Sequence, residues 1–364
     1  WKDLFDSAGS PTQAGTALLD GRVPGADARV LETATRMGTV CLGKTHMSEL
    51  AFSGLGYNPI TQTTPCVNDH DAVSGGSSSG AAGSVAFDMA PLAIGSDTGG
   101  SVRIPAAWND LVGLKTTAGR VSVQGVLPLA ARFDTVGPLA RTVEDAAAAL
   151  AVLEGRAPVS LANQSLDGAR FVVCQTAVFD DIRDAPHDGF DHAVGRLTDQ
   201  GAQVDALDIP IVSDALGLSG TLFAPEAYGT WKSTIESNPD KMFPEILARF
   251  RGGADVSAPD YIAAWQALDC YRAMFWDAVA GYDAVLVPTS PILPPNIDRL
   301  GTDSAYYVQE NLLALRNTRV GNLMGGCAVT LPTGVPSTGI SLMAPAMAED
   351  RLLRLAAAAE NALA

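Results

Sequence analysis

The stretch Ser74–Ala107, SGGSSSGAAGSVAFDMAPLAIGSDTGGSVRIPAA, decides how the rest of the chain is interpreted. Two Gly/Ser clusters, Gly75–Gly80 and Gly95–Ser101, flank a run of small and apolar residues. Flexible linkers are also rich in Gly and Ser, but they do not alternate with apolar segments as this stretch does. The pattern therefore predicts a packed scaffold that presents two polar turns to one point.

Length, composition and charge predict a folded protein with a large core. The chain has 364 residues, of which 47% are hydrophobic and 18% charged, and its net charge is −16. Such an acidic surface repels phosphate backbones, so we expect no direct nucleic-acid binding. No apolar run reaches the roughly 18 residues that a membrane span requires, and basic anchors are absent, so we expect no membrane partner.

The cysteines and histidines indicate neither a metal site nor a disulfide framework. The five cysteines are odd in number and far apart, none forms a Cys-x-x-Cys pair, and the four histidines are scattered. This usage favours a reducing compartment, which we expect to be the cytoplasm. The first residues, Trp1-Lys2-Asp3-Leu4-Phe5, are typical of a strand end, so we expect an N-terminal segment to precede them.

Helix and strand patterns alternate along the chain, which favours an α/β layer fold with a partly parallel sheet. We expect one domain over residues 1–364, with a core of about 1–155 and 281–364 and a more helical region of about 214–280. Helical patterns occur at 26–37, 80–87, 188–200 and 349–363, and helix starts near 102 and within 136–153. Apolar runs predict strands at 39–43, 90–94, 169–174, 204–207, 284–287, 328–331 and 339–342.

Residue chemistry alone leaves four interpretations of the two turns open. They are tight packing turns, a phosphate site, a serine nucleophile of the Ser-His-Asp type, or a Ser–Lys pair. The phosphate site lacks the GxxxxGK[ST] pattern, and Asp97 would repel an anion. A Ser-His-Asp triad lacks a GxSxG elbow and a histidine with an obvious Asp partner. The candidate bases for a Ser–Lys pair are Lys2, Lys44 and Lys115.

The two turns and their surroundings resemble the amidase signature family. The motifs that carry the resemblance are Gly75-Gly76-Ser77-Ser78-Ser79-Gly80 and Gly95–Ser101 followed by Val102-Arg103-Ile104-Pro105-Ala106. Similar family blocks elsewhere extend the resemblance over essentially the whole chain; among them are Gly113–Thr116, Gly137-Pro138 and Pro288-Thr289. The resemblance implies an α/β fold in which a large mixed, twisted β-sheet is covered by helices on both faces.

The same resemblance implies a Ser-cisSer-Lys triad that needs no metal and no cofactor. Ser101 matches the nucleophile, Ser77 the bridging serine and Lys2 the catalytic lysine, whereas Lys44 falls in a block similar to a structural segment of the family. Other residues are expected to form the oxyanion hole or to support the site. The first group is Thr98, Gly99 and Gly100, together with Ser101, and the second is Ser78, Asp97 and Arg103.

Two activities are compatible with this resemblance. The first is hydrolysis of the C–N bond of a small carboxamide or urea-like substrate through an acyl-enzyme, which releases ammonia or an amine. The alternative is the glutamine-hydrolysing A subunit of a tRNA-dependent amidotransferase, which often carries Ser-Ile-Arg-Gln-Pro where this chain has Ser101-Val102-Arg103-Ile104-Pro105. The first is favoured, so the expected partner is a small-molecule amide, and a homodimer is compatible with it. Substrate choice should come from residues 214–280 and 289–325.

Overall fold

An eight-stranded mixed β-sheet lies at the centre of the computed structural model, which describes all residues from 1 to 364. Its strands are β1 (Leu92–Asp97), β2 (Val112–Lys115), β3 (Thr135–Ala140), β4 (Arg170–Cys174), β5 (Gln203–Leu207), β6 (Ala284–Pro288), β7 (Cys327–Pro332) and β8 (Gly339–Ala344). Their order across the sheet is β1-β3-β2-β7-β8-β6-β4-β5. Strand β4 is parallel to β5 and β6, whereas the other neighbours are antiparallel. The expected mixed sheet is confirmed.

Helices surround this sheet, as expected from the alternating pattern. They are α1 (Arg29–Arg36), α2 (Ser79–Ala86), α3 (Arg103–Trp108), α4 (Val143–Glu154), α5 (Asp184–Asp199), α6 (Ile211–Gly217), α7 (Ser219–Ser237), α8 (Pro244–Arg251), α9 (Ala258–Ala278), α10 (Ile297–Thr302), α11 (Ser304–Leu323) and α12 (Glu349–Leu363). One group, α4, α5 and α12, packs together and against the sheet, and a second group, α2, α3 and α11, brings the polar turns to it. None of the helices combines the length and the apolar character that crossing a membrane requires.

Local sequence explains where several of these elements begin and end. Helix α4 begins after Thr142, whose Oγ accepts a hydrogen bond from the Asp145 N–H at 3.0 Å, and it ends at Gly155 with a φ of +68°. Strands β3, β6 and β8 are buried at every residue, which accounts for runs such as Ala284-Val285-Leu286-Val287. Helix α12 has the bounds that its Ala/Leu-rich pattern predicts.

Four consecutive helices, α6–α9, occupy residues 211–278 between β5 and β6, and we call this segment the helical insertion. It packs on the core through aromatic rings. Phe133, which precedes β3, lies 4.3 Å from the Phe223 ring of α7 and stacks on Trp265 of α9 at 4.9 Å, both measured between ring centroids. Aromatic pairs at such distances add to the free energy of area burial. The insertion is therefore fixed beside the segment that leads to β3.

The structure contradicts two strand predictions near the start of the chain. Residues 39–43 form no strand, and Val40 and Leu42 are 79% and 72% exposed. The contacts of this segment with the first residues are isolated ones: the Thr45 N–H donates to Trp1 O at 2.8 Å, and the Trp1 amino group donates to Gly43 O at 3.0 Å. Residues 1–5 likewise contribute isolated bridges rather than a strand end. The apolar run at 39–43 therefore reflects side chains that line a surface groove and not a buried strand.

Two strands, β2 and β3, are absent from the sequence prediction, whereas the helix start predicted within 136–153 is confirmed by α4. Strand β3 contains Gly137-Pro138, a pair that weakens strand propensity when it is judged locally. It nevertheless pairs with β1 over its full length. A Cβ atom built on Gly137 would lie 1.9 Å from Leu114 O, so only glycine allows β2 to approach this closely. Pairing between distant segments overrides the local preference here.

Candidate active site

The two polar turns meet, as the sequence predicts. The Ser78 N–H donates to Ser101 O at 3.2 Å, and Ser78 Oγ donates to Ser96 O at 3.2 Å, so the first turn is joined to β1 and to the second turn. The peptide bond between Gly76 and Ser77 is cis. A Cβ atom on Gly76 would lie 2.5 Å from the Gly56 backbone N, so glycine is required at this close approach.

Lys2 is the lysine that the structure places at the serines. Its Nζ donates hydrogen bonds to Ser77 Oγ and to Ser96 Oγ, each at 2.7 Å, and the side chain is fully buried. Burial lowers the pKa of Lys2 to about 7, against the opposite effect of Asp97 and Asp134. A large fraction of Lys2 is therefore a neutral amine at neutral pH, which makes it able to accept a proton.

The other two lysines considered from the sequence are engaged elsewhere. Lys44 Nζ pairs with Asp3 Oδ1 at 3.0 Å and donates to Thr12 Oγ1 at 2.8 Å. Lys115 Nζ donates to the backbone oxygens of Thr116 and Gly326 at 2.9 and 2.7 Å. Burial lowers the pKa of Lys115 to about 8, yet its partners are carbonyls and not serines. The geometry therefore favours Lys2 over both.

The second turn, residues 98–101, presents Ser101 at its end. Ser101 retains 4% exposure, whereas Ser77 is fully buried, so Ser101 is the more accessible of the two hydroxyl groups. Gly100 has a φ of +132°, and a Cβ atom there would lie 2.0 Å from Thr318 Oγ1. Thr318 Oγ1 in turn donates to Gly99 O at 2.8 Å. The turn is thus held tightly against α11.

The backbone donors of this turn differ from the sequence expectation at one residue. The Gly100 N–H donates to Asp97 Oδ1 at 2.8 Å, so it is not a free donor for a substrate oxygen. The N–H groups of Thr98, Gly99 and Ser101 make no hydrogen bond within the protein. The carboxylate competes for the Gly100 N–H because the turn folds back over the end of β1. The free donors are therefore those of the other three residues.

Asp97 and Arg103 form the buried support that the sequence predicts. The Asp97 carboxylate accepts from Arg103 Nε and Nη2 at 3.0 Å each, from the Val102 N–H at 3.2 Å and from Asn322 Nδ2 at 2.9 Å. Burial opposes the charge of Asp97, but the Arg103 guanidinium holds the pKa of this carboxyl well below its usual range. Arg103 Nη1 also donates to Thr318 O at 2.7 Å. Arg103 therefore fixes the turn.

Sequence reasoning missed four residues of this site. Ser96 lies within the predicted Gly95–Ser101 turn, so its position could have been considered. Thr318 and Asn322 lie four residues apart on α11, and buried polar residues at helical spacing were their only signal. Asp134 accepts from Thr98 Oγ1 at 2.5 Å, and burial raises its pKa. Asp134 belongs to a family block with Gly137-Pro138, but nothing in the local sequence connects Thr318 and Asn322 to a turn so distant along the chain.

Comparison with known proteins agrees with the fold. The Amidase family model matches residues 1–353. The chain is 37% identical to the 2-amino-5-chloromuconic acid deaminase of Comamonas testosteroni, over 98% of this chain and 79% of that protein. It is 31% identical to the A subunit of the glutamyl-tRNA(Gln) amidotransferase of Acidothermus cellulolyticus, over 99% of this chain and 80% of that protein.

Solved structures give the same result. An amidase crystal structure superposes with a TM-score of 0.88 at 28% identity, over 100% of this chain and 83% of the other. The allophanate hydrolase of Kluyveromyces lactis superposes with a TM-score of 0.89 at 26% identity, over 100% of this chain and 61% of the other. Fold, site and relatives together define a hydrolase of amide C–N bonds. The chain belongs to the amidase signature family.

Proposed function

We propose that this amidase cleaves a small carboxamide or urea-like substrate with Ser101 as nucleophile, Ser77 as bridging serine and Lys2 as base. The observation that carries the proposal is that the buried Lys2 amine lies 2.7 Å from Ser77 Oγ. Ser77 belongs to the first turn, which the Ser78 N–H joins to Ser101. A lysine normally titrates near 10.4, and its lowered pKa of about 7 makes base catalysis accessible at neutral pH.

The proton relay runs from the accessible serine to the buried amine. Neutral Lys2 accepts the Ser77 hydroxyl proton while Ser77 accepts the proton of Ser101. Ser101 Oγ then forms a bond to the amide carbonyl carbon, and the carbonyl electrons move to oxygen. Ser77 returns a proton to the leaving nitrogen, which departs as ammonia or an amine. Water hydrolyses the resulting acyl-enzyme by the same relay, which regenerates Ser101.

The oxyanion of the tetrahedral intermediate is stabilised by the backbone of the second turn. The three free donors are the N–H groups of Thr98, Gly99 and Ser101. Removal of one such donor from an oxyanion hole costs about 3–4 kcal/mol of transition-state stabilisation. Gly100 contributes differently, because its bond to Asp97 holds the turn that aims the other donors.

A second candidate function is that of the glutamine-hydrolysing component of a tRNA-dependent amidotransferase. The similarity to the amidotransferase protein of Acidothermus cellulolyticus favours it. In that role the chain would hydrolyse glutamine and act with partner proteins. Ile104 stands in this chain where such amidotransferase chains often carry Gln, which favours the stand-alone hydrolase. The cytoplasmic location and the homodimer stay predictions.

Ammonia release from a panel of carboxamides, urea-like compounds and glutamine tests both candidates. The wild-type protein should release ammonia from one or more amides without added partners. Ser101→Ala should abolish release while the circular dichroism spectrum stays unchanged. Ser84→Ala is the matched control, because Ser84 lies on α2 and bonds only to Ala81 O at 2.9 Å. Activity on glutamine alone would favour the amidotransferase role, and an active, folded Ser101→Ala protein would exclude Ser101 as nucleophile.

A further inference from the structure

Two neighbouring arginine side chains, one of them beside the second turn, have no carboxylate partner. Arg249 lies on α8 and Arg319 on α11, and no acidic group acts on either charge. Each guanidinium instead faces an aromatic ring, with Arg249 Cζ 4.4 Å from the Phe52 ring centroid and Arg319 Cζ 5.9 Å from that of Phe223. The chain has 40 acidic residues against 24 basic ones, so acidic partners are not scarce in this protein.

Arg319 contacts the turn that carries Ser101. A Cβ atom built on Gly99 would lie 3.6 Å from Arg319 Cγ and 3.9 Å from Arg319 Nε. The neighbouring residue Thr318 holds the same turn by its bond to Gly99 O. Both arginine side chains are partly exposed rather than enclosed in the packed core. A partly exposed positive group therefore lies next to the turn that holds the free backbone donors.

The two charges are unfavourable without a ligand. Burial lowers the pKa of Arg319 to about 9, and repulsion from Arg249 adds to this effect. Burial lowers the pKa of Arg249 to about 10. Perturbed cations beside a reactive group are typical of functional sites, because an incoming anion restores the interactions that burial removes. The aromatic contacts offset part of this cost, and they do so less for Arg319, at 5.9 Å over Phe223, than for Arg249, at 4.4 Å over Phe52.

We propose that Arg319, assisted by Arg249, binds a carboxylate of the substrate, so that the preferred substrates are monoamides of small dicarboxylic acids. The proposal rests on the proposed function, in which Ser101 attacks the amide group of the same molecule. Arg319 makes the closest contact with the substrate carboxylate, because it lies beside the turn that carries Ser101. Its guanidinium offers a planar pair of donors that matches a carboxylate. Arg249 adds a second positive charge and orients the bound acid.

The same arrangement disfavours glutamine relative to a simple monoamide. Glutamine carries a carboxylate, but its α-ammonium group would lie beside two guanidinium groups that no acidic residue offsets. Like charges at such short range are destabilising. Succinamate offers the carboxylate and the amide without the ammonium. We therefore expect succinamate to be hydrolysed with a higher kcat/KM than glutamine.

Steady-state kinetics on succinamate and butanamide test the carboxylate site, because these amides differ in the charged end. In Arg319→Gln the ratio of kcat/KM for succinamate to that for butanamide should fall by about 10-fold to 100-fold, the loss expected for hydrogen bonds to a charged group. Arg249→Gln should lower the ratio in the same direction by less. Arg299→Gln is the matched control, because Arg299 also lies over a ring, that of Tyr306, but pairs with Asp303. An unchanged ratio in Arg319→Gln, or a kcat/KM for glutamine above that for succinamate, overturns the proposal.

A binding measurement separates this proposal from the proposed function. Titration calorimetry with succinate on Ser101→Ala protein needs no turnover. The affinity for succinate is compared between the Ser101→Ala protein and the Ser101→Ala/Arg319→Gln protein. A value about tenfold or more weaker in the second supports the carboxylate site even if no amide is hydrolysed. Equal affinity with and without Arg319, or no binding of succinate by the Ser101→Ala protein, overturns it. Hydrolysis of butanamide alone would leave the proposed function standing and exclude the carboxylate site.

Discussion

The catalytic centre and the helical insertion differ in how their polar groups are partnered. In the centre, Lys2 makes two hydrogen bonds to serines. The Asp97 carboxylate accepts hydrogen bonds from several donors, which include Nε and Nη2 of Arg103. In the insertion, Arg249 has no acidic partner, and Trp265 Nε1 is buried without a hydrogen bond. The polar groups of the centre are therefore partnered within the protein, whereas these two groups of the insertion are not.

This contrast follows from what each region must do. Catalytic donors stabilise a transition state best when they need no reorganisation, which is why the turn at residues 98–101 is held from both sides. A binding region gains selectivity by leaving a buried charge unpaired until the correct ligand arrives. In the proposed mechanism, Arg249 of the insertion and Arg319 of α11 select the substrate, whereas Lys2 and the turn at residues 98–101 carry out the chemistry.

The largest effect is expected at Lys2. Lys2→Ala should lower kcat/KM by about 10²–10⁴-fold, the range for loss of a general base. Lys44→Ala should change it by less than about threefold, because Lys44 forms a partly exposed ion pair with Asp3, which contributes about 0.2–1 kcal/mol to stability. Amide hydrolysis and thermal unfolding measured on both variants check this. Comparable losses in the two variants would contradict the assignment of the base.

The next effect concerns the turn itself. Gly100→Ala would force a side chain into a φ of +132° and against Thr318 Oγ1, so we expect it to lower the free energy of unfolding by about 3 kcal/mol. Gly195→Ala is the control, because its Cβ atom would meet nothing within 4 Å on helix α5. That change should raise stability by about 0.5–1 kcal/mol. Denaturant titrations compare the two, and equal stability would show that the turn tolerates a side chain.

The pH dependence of the reaction should report on Lys2. A protonated lysine cannot accept the Ser77 proton, and burial lowers the pKa of Lys2 to about 7. The value of kcat/KM should therefore rise about tenfold per pH unit below pH 7 and level off above it. The rate measured between pH 5 and 9, with circular dichroism at each end, tests this. A profile that is flat from pH 5 to 7 would contradict the role of a neutral lysine.

The centre and the insertion also differ in how much of each could be predicted from the sequence. The apolar runs of β4 and β6 and the helix α12 follow from local pattern, and the family motifs identify Lys2, Ser77 and Ser101 as candidate site residues. Strand β3 escaped prediction because Gly137-Pro138 disfavours a strand until β1 pairs with it.

The proposed carboxylate site was not predicted from the sequence, for a related physical reason. Arg249 and Arg319 lie on two helices that are far apart in sequence, and neither belongs to a motif. An arginine on an amphipathic helix is typical of a solvated surface. Only the tertiary packing shows that no acidic group lies close to Arg249 and Arg319. Motifs therefore identify the candidate catalytic residues, whereas the proposed carboxylate ligands are brought together by the packing of α8 and α11.

The smallest expected effect tests how the insertion is attached to the core. Trp231 of α7 donates from Nε1 to Pro128 O at 2.7 Å, whereas Trp265 Nε1 has no partner. Both Trp→Phe changes shrink a mostly buried ring, but only Trp231→Phe removes a hydrogen bond. Trp231→Phe should therefore cost about 1 kcal/mol more unfolding free energy than Trp265→Phe. Urea titrations of both variants measure this difference. Equal losses would show that ring packing alone, and not this hydrogen bond, holds the insertion against the segment that leads to β3.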